Sequence, residues 1–159
     1  MKKLLLSATV GLSLLSAPAM AGSLKGTIYK SPNCGCCMFH GEYLKSKNIK
    51  ISYIENDTML DTVKQKYNIT GNNRACHTTE IAGYVVEGHV PYSAIQKLLN
   101  EKPNIAGIGI GGMPTFSPGM AEPDASNPSK LNVYALMKDG STKSFGTFEY
   151  KGDKFFSEL

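Results

Sequence analysis

The chain contains no tryptophan, one arginine (Arg74) and, beyond its first three residues, no cluster of Lys or Arg. Without a basic stripe there is no electrostatic footprint for nucleic acid or for an anionic membrane surface. Charged residues make up 19% of the 159 positions, below the usual quarter, and 42% are hydrophobic. That balance excludes a chain held open by its own charge and supports one packed domain. Four cysteines are too few for a miniprotein built on disulfides. No repeat at a solenoid period is visible. No Ser-His-Asp set or paired-carboxylate spacing stands out.

What is present begins with a leader. Lys2 and Lys3 precede an apolar stretch from Leu4 to Leu15, and Ala19-Met20-Ala21 closes it as a small-residue cleavage site. This is the pattern of a secretory signal peptide over residues 1–21. The stretch is too short for a membrane anchor. The first cysteine, Cys34, is too far from the cleavage point for a lipid anchor there. The expected mature chain, 22–159, carries +2, with fifteen basic against thirteen acidic residues. The expected location is a bacterial periplasm, an oxidising compartment.

Periodicity gives the element order. Residues 24–30 alternate as a strand, with Gly26, Ile28 and Lys30 on one side. Ser31-Pro32-Asn33 ends it, and a helix is expected over 35–47 with Phe39 and Tyr43 on one face. Residues 49–54 alternate as a second strand. Asp57 is the expected cap of a helix to Tyr67, with Leu60, Val63 and Tyr67 inward. Residues 78–87 read as a hairpin around Ala82-Gly83. Pro91 opens a third helix with Tyr92, Ile95 and Leu99 on one face. Residues 103–130 are rich in Gly and Pro without a period, which in a compact domain is often functional. Residues 132–137 and 144–150 form a last hairpin, turned at Lys138-Asp139-Gly140. This predicts a single α/β domain with a mixed sheet. The thioredoxin-like fold has that order, and the cysteine motif after the first strand selects it.

Cys34-Gly35-Cys36-Cys37 puts three thiols in four residues where a strand hands over to a helix. Unpaired N–H groups and the positive end of the helix dipole favour thiolate there, so these thiols are expected to have depressed pKa values. Cys76 stands just before the third strand. In a thioredoxin-like fold that position faces the start of the first helix, so all four sulfurs should converge. Four chemistries compete for such a set. Two structural disulfides need a 34–36 or 36–37 bridge strained by its short spacing, or the redox-type 34–37 bridge. A Cys₄ zinc site usually draws on two separated C-x-x-C knuckles, and here the second half is a lone Cys. Thiol–disulfide exchange needs only Cys34 as attacking and Cys37 as resolving thiol, leaving Cys36 and Cys76 unexplained. Soft thiolates suit Cu(I), and crowded thiolates can bridge several Cu(I) ions in a cluster.

Other soft or nitrogen donors lie nearby in sequence. His77 follows Cys76 and is a candidate ligand. His40 lies at i, i+4 from Cys36, and His89 precedes the third helix; both are weaker candidates. Met113 and Met120 bracket a Gly/Pro loop and are candidate thioether caps for Cu(I). Met38 and Met59 read as packing residues. The run from Gly107 to Gly111 lacks the G-K-[ST] ending of a phosphate loop, so nucleotide binding is discarded.

The chain resembles the CopG-type periplasmic copper-resistance proteins, a thioredoxin-like family unrelated to the DNA-binding repressors of the same name. The resemblance rests on Tyr29-Lys30-Ser31-Pro32-Asn33-Cys34-Gly35-Cys36-Cys37 and Ala75-Cys76-His77-Thr78-Thr79. It continues through Gly83-Tyr84-Val85-Val86-Glu87-Gly88-His89-Val90-Pro91, Gly112-Met113-Pro114 and Ser117-Pro118-Gly119-Met120. It implies copper handling in the periplasm, with Cys34, Cys36, Cys37 and Cys76 as copper ligands and His77, His89, Met113 and Met120 at recurrent family positions. The expected partners are copper ions and other periplasmic copper-handling proteins; the leader's length and the position of Cys34 predict no stable membrane anchor. Family members often carry an aromatic residue at the position of His40 and a histidine at that of Tyr43, so this chain departs there. Residues 68–74 are also more polar than in relatives. Sequestration, transfer and redox cycling of copper stay open, and a thiol–disulfide oxidoreductase using Cys34 and Cys37 is the rival.

Overall fold

The structure is a computed structural model that describes residues 23–124 and 126–152. The expected leader over 1–21 lies outside the described residues. The elements run β1 (Lys25–Lys30), α1 (Gly35–Ser46), β2 (Lys50–Glu55), α2 (Asp57–Lys66), β3 (His77–Ile81), β4 (Tyr84–Glu87), α3 (Tyr92–Glu101), β5 (Gly107–Gly109), β6 (Ser129–Leu136) and β7 (Thr142–Tyr150). They build one sheet in the order β2-β1-β3-β4-β5-β6-β7. The β1–β2 and β4–β5 pairs are parallel and the others antiparallel. β1 to β4 with their three helices form the expected thioredoxin-like unit, and β5 to β7 widen its sheet beyond β4.

Alternation in the strands divides the core. Ile28, Ile81, Val86 and Ile108 pack with Tyr43 and Leu44 of α1 and with Ala94, Ile95 and Leu98 of α3. Val85, next to Val86 in β4, faces the other way and packs with Ile69 and Leu136. The expected inner faces shift in two helices. In α3 the fully buried positions are Ala94, Ile95 and Leu98, with Tyr92 and Leu99 at the margin. In α1, Phe39 is exposed, and its place inside is taken by His40, whose ring nitrogens both find partners. Met59 also faces solvent rather than packing.

The cap of α2 is Asn56 rather than Asp57. Asn56 Oδ1 accepts the Met59 N–H at 2.9 Å, and Asp57 sits in the first turn, where its charge suits the dipole. Asn56→Ala should cost about 1 kcal/mol in a urea titration. An unchanged midpoint would show that the cap contributes nothing.

Residues 103–130, expected as irregular, contain a three-residue strand. β5 fills the gap between β4 and β6. Its Gly107 lies so close to the Val85 carbonyl that a side chain would overlap it. The last hairpin is longer than expected at its start, with β6 beginning at Ser129.

Candidate metal centre

The strand directions bring four chain segments to one end of the sheet. Lys30, where β1 ends, is paired with His77, where β3 begins; Glu87 at the end of β4 lies beside Thr78 and Gly109. The start of α1, the Cys76 loop, the β4–α3 link and the loop after β5 therefore meet there.

Cys34 is the residue before α1, and its N–H donates to Ser31 O at 3.1 Å in the turn that follows β1. Cys34 and Cys37 are joined in a disulfide, while Cys36 and Cys76 are free. Cys76 Sγ lies 3.4 Å from Cys37 Sγ and 3.9 Å from Cys36 Sγ, and Cys36 Sγ is 3.5 Å from Cys34 Sγ. All four sulfurs fall within 4.8 Å of one another, with Cys37 buried and the others half-buried. The convergence expected from the fold is present. Burial and the neighbouring Cys36 push the Cys76 thiol up to about 12. The depression expected at the helix start concerned Cys34, Cys36 and Cys37; Cys76, on the loop before β3, shifts the other way because burial disfavours its thiolate.

Three histidines lie behind the sulfurs. All are fully buried. His40 Nε2 lies 3.2 Å from Val90 O, and a carbonyl only accepts, so the His40 proton is on Nε2. His40 Nδ1 then accepts from His77 Nε2 at 2.8 Å. That leaves the lone pair of His77 on Nδ1, 3.6 Å from Cys76 Sγ. His89 Nδ1 donates to Pro118 O at 2.7 Å, so its lone pair is on Nε2, 3.5 Å from the same sulfur. Burial holds all three rings neutral, with His40 lowered to about 3, His77 well below its ordinary value and His89 lowered. The sequence offers His77 first and His40 and His89 as weaker candidates, and does not reveal how they are held. Their roles come from Pro118 O and Val90 O, contacts across the fold that no local spacing reveals.

The loop with Met113 and Met120 is held against this end by its backbone. Gly112 N–H donates to Arg74 O at 2.9 Å, two residues before Cys76. Gly119, at φ +84°, brings its Cα against the backbone of His40, where a side chain would collide. Met113 is exposed and Met120 half-buried. Cys76 is braced from the other face of the sheet. The Glu87 carboxylate accepts the Ala75 N–H at 2.7 Å and the Thr78 hydroxyl at 2.6 Å, and pairs with the buried Lys64 ammonium.

A family described as "Protein of unknown function, DUF411" matches residues 73–120. The structure of "Copper resistance protein CopG, Form 1" is 31% identical, with a TM-score of 0.70 over 82% of this chain and 100% of that one. Its Form 2 is 29% identical, with a TM-score of 0.69 over 80% of this chain and 99% of that one. The chain belongs to the CopG copper-resistance family. No curated protein matches it. The matched segment of this CopG-family chain holds Cys76, His77, His89, Met113 and Met120, while Cys34, Cys36 and Cys37 lie before it. Where CopG-type proteins were expected to carry a histidine, Tyr43 accepts the Tyr92 N–H at 2.7 Å and ties α1 to α3.

Proposed function

We propose that this protein binds Cu(I) in the periplasm through Cys34, Cys36, Cys37 and Cys76, and sequesters it, passes it on or cycles its oxidation state under copper stress. The carrying observation is the four sulfurs within 4.8 Å of one another at one end of the sheet. The donor set fits the ion: thiolates are soft, and half-buried sulfurs away from bulk water favour a soft monovalent cation. Binding requires a periplasmic thiol reductant to convert the Cys34–Cys37 disulfide to two thiols by thiol–disulfide exchange, the reductant leaving as its own disulfide; Cu(I) then takes the place of the thiol protons, which are released to solvent. With the sulfurs this close, thiolates bridge ions, and the reading is a multinuclear cluster. Met113 and Met120 from the overlying loop, and His77 beside Cys76, are candidate further donors. Membership of a family whose solved members are titled copper resistance proteins supports copper over other soft ions.

The test is Cu(I) per chain on the fully reduced protein, loaded anaerobically against a competing chelator. More than one tightly held Cu(I) is expected, and either Cys36→Ser or Cys76→Ser should lower that number. A single Cu(I) would overturn the cluster, and none would overturn copper binding. The thiol–disulfide reading has one observation in its favour, the disulfide between Cys34 and Cys37 at the start of α1. It predicts that both serine variants keep disulfide-exchange activity.

A further inference from the structure

The three buried histidines pose a problem of proton count. His77 Nδ1 and His89 Nε2 each present a lone pair to Cys76 Sγ, at 3.6 and 3.5 Å. Neither tautomer can be switched without facing a donor N–H with a donor or a carbonyl with a lone pair, because Val90 O and Pro118 O fix the other ring nitrogens. A thiol carries one proton and can satisfy one of the two lone pairs. The other stays buried without a donor, a costly arrangement unless a cation sits between the three atoms.

The spacing is that of a metal site. Zinc-class bonds of about 2.0 Å to nitrogen and about 2.3 Å to sulfur, at a tetrahedral angle, set the nitrogen–sulfur edge at about 3.5 Å. The two observed edges are 3.5 and 3.6 Å. All three donor atoms lie within 4.8 Å of one another. None of the three belongs to the Cys34–Cys37 disulfide. We propose that Cys76, His77 and His89 form a mononuclear site for a divalent cation of the zinc class, complete while Cys34 and Cys37 are disulfide-bonded.

One thiolate and two imidazoles are a borderline donor set, harder than four thiolates, and suit Zn(II) and its neighbours rather than Cu(I). Three protein ligands leave the fourth position open, the pattern of an exchangeable ion rather than a closed structural one. Both remote ring nitrogens are already hydrogen-bonded, His77 through His40 and His89 through Pro118, so the outer shell is in place before the ion arrives. Because Cys76 belongs to both donor sets, the state of the Cys34–Cys37 pair decides which set is whole. The inference rests on this end of the fold being a metal centre, but not on the copper cluster.

The probe is Co(II), added without oxygen to the full chain in its disulfide form, with one disulfide and two free thiols verified by alkylation and mass. One Co(II) per chain is expected, with intense tetrahedral bands and a thiolate charge-transfer band, all bleached by Zn(II). Cys76→Ser should abolish the charge-transfer band, and His89→Gln should weaken binding by about 100-fold or more. No Co(II) uptake, a weak octahedral spectrum, or binding indifferent to both substitutions would overturn the site. Cu(I) loading of the reduced parent is read separately, so a protein that holds Cu(I) when reduced but no Co(II) when oxidised refutes this site alone.

Discussion

Lys64→Met should destabilise the protein by about 3–5 kcal/mol, read as a fall in the urea midpoint at pH 7. The Lys64 and Glu87 side chains are 1% and 0% exposed, and they pair with each other. Burial pulls each toward its neutral form, lowering the ammonium and raising the carboxyl, and their mutual attraction opposes this. Without the ammonium, the Glu87 carboxylate keeps the donors Thr78 and Ala75 but loses its countercharge in a dry site. The gap between variant and parent should narrow on acidification, because a lone buried Glu87 then takes up a proton.

The double variant Lys64→Met with Glu87→Leu separates stability from function. Replacing a whole buried ion pair by apolar side chains is often neutral or stabilising, so the urea midpoint should recover most of the loss. The Ala75 N–H would still have lost its acceptor, one residue from Cys76. Copper capacity on the reduced protein should therefore stay below that of the parent although stability returns. A double variant with both properties restored would show that Glu87 does not brace the Cys76 loop.

The parts of the fold legible in the sequence were those with a strict period. β1 shows its inward Gly26, Ile28 and Lys30, and α2 shows Leu60 and Val63, because burial on one face writes a period of 2 or 3.6 into the residues. β5 was not legible. It needs glycine against Val85, and a strand of Gly-Ile-Gly offers no alternation to read. The inward Lys64 was not legible either, since a lysine among apolar positions normally lies at a surface. In the site, the cysteines announced themselves by spacing and by their place after a strand. Spacing offered His77 as a candidate and His40 and His89 as weaker ones, but not that the three form one set, because they meet only when α1, β3 and the β4–α3 link converge. What makes them a set is the hydrogen bonds that Val90 O and Pro118 O accept from His40 and His89, backbone atoms that carry no signature in residue type.

Those histidines should make the metal-free protein sensitive to mild acid. In the unfolded chain each titrates near its ordinary value of about 6.5. In the folded chain His40 stays neutral down to about 3, and burial shifts His77 and His89 in the same direction. Between these values the unfolded state binds more protons, so stability is fully present above about pH 6.5 and is lost as pH falls. His40 alone should remove about 2 kcal/mol between pH 6.5 and pH 5. His77 and His89 act with the same sign. Carboxylates held low in the fold, such as Glu80, Asp124 and Asp139, still carry their charge there, while Glu87, raised by burial, acts with the opposite sign and offsets part of the loss. Urea midpoints measured at pH 7.5, 6.5, 5.5 and 5 should dip slightly across the first step, where the unfolded rings are half titrated, and fall more steeply across the rest. A midpoint that holds to pH 5 would mean that the rings accept protons in place, contrary to their burial. Saturating Zn(II) should raise the whole curve at neutral pH, since an ion bound only by the folded state stabilises it by mass action. It should also steepen the acid fall, because His77 Nδ1 and His89 Nε2 cannot hold a proton and a metal at once.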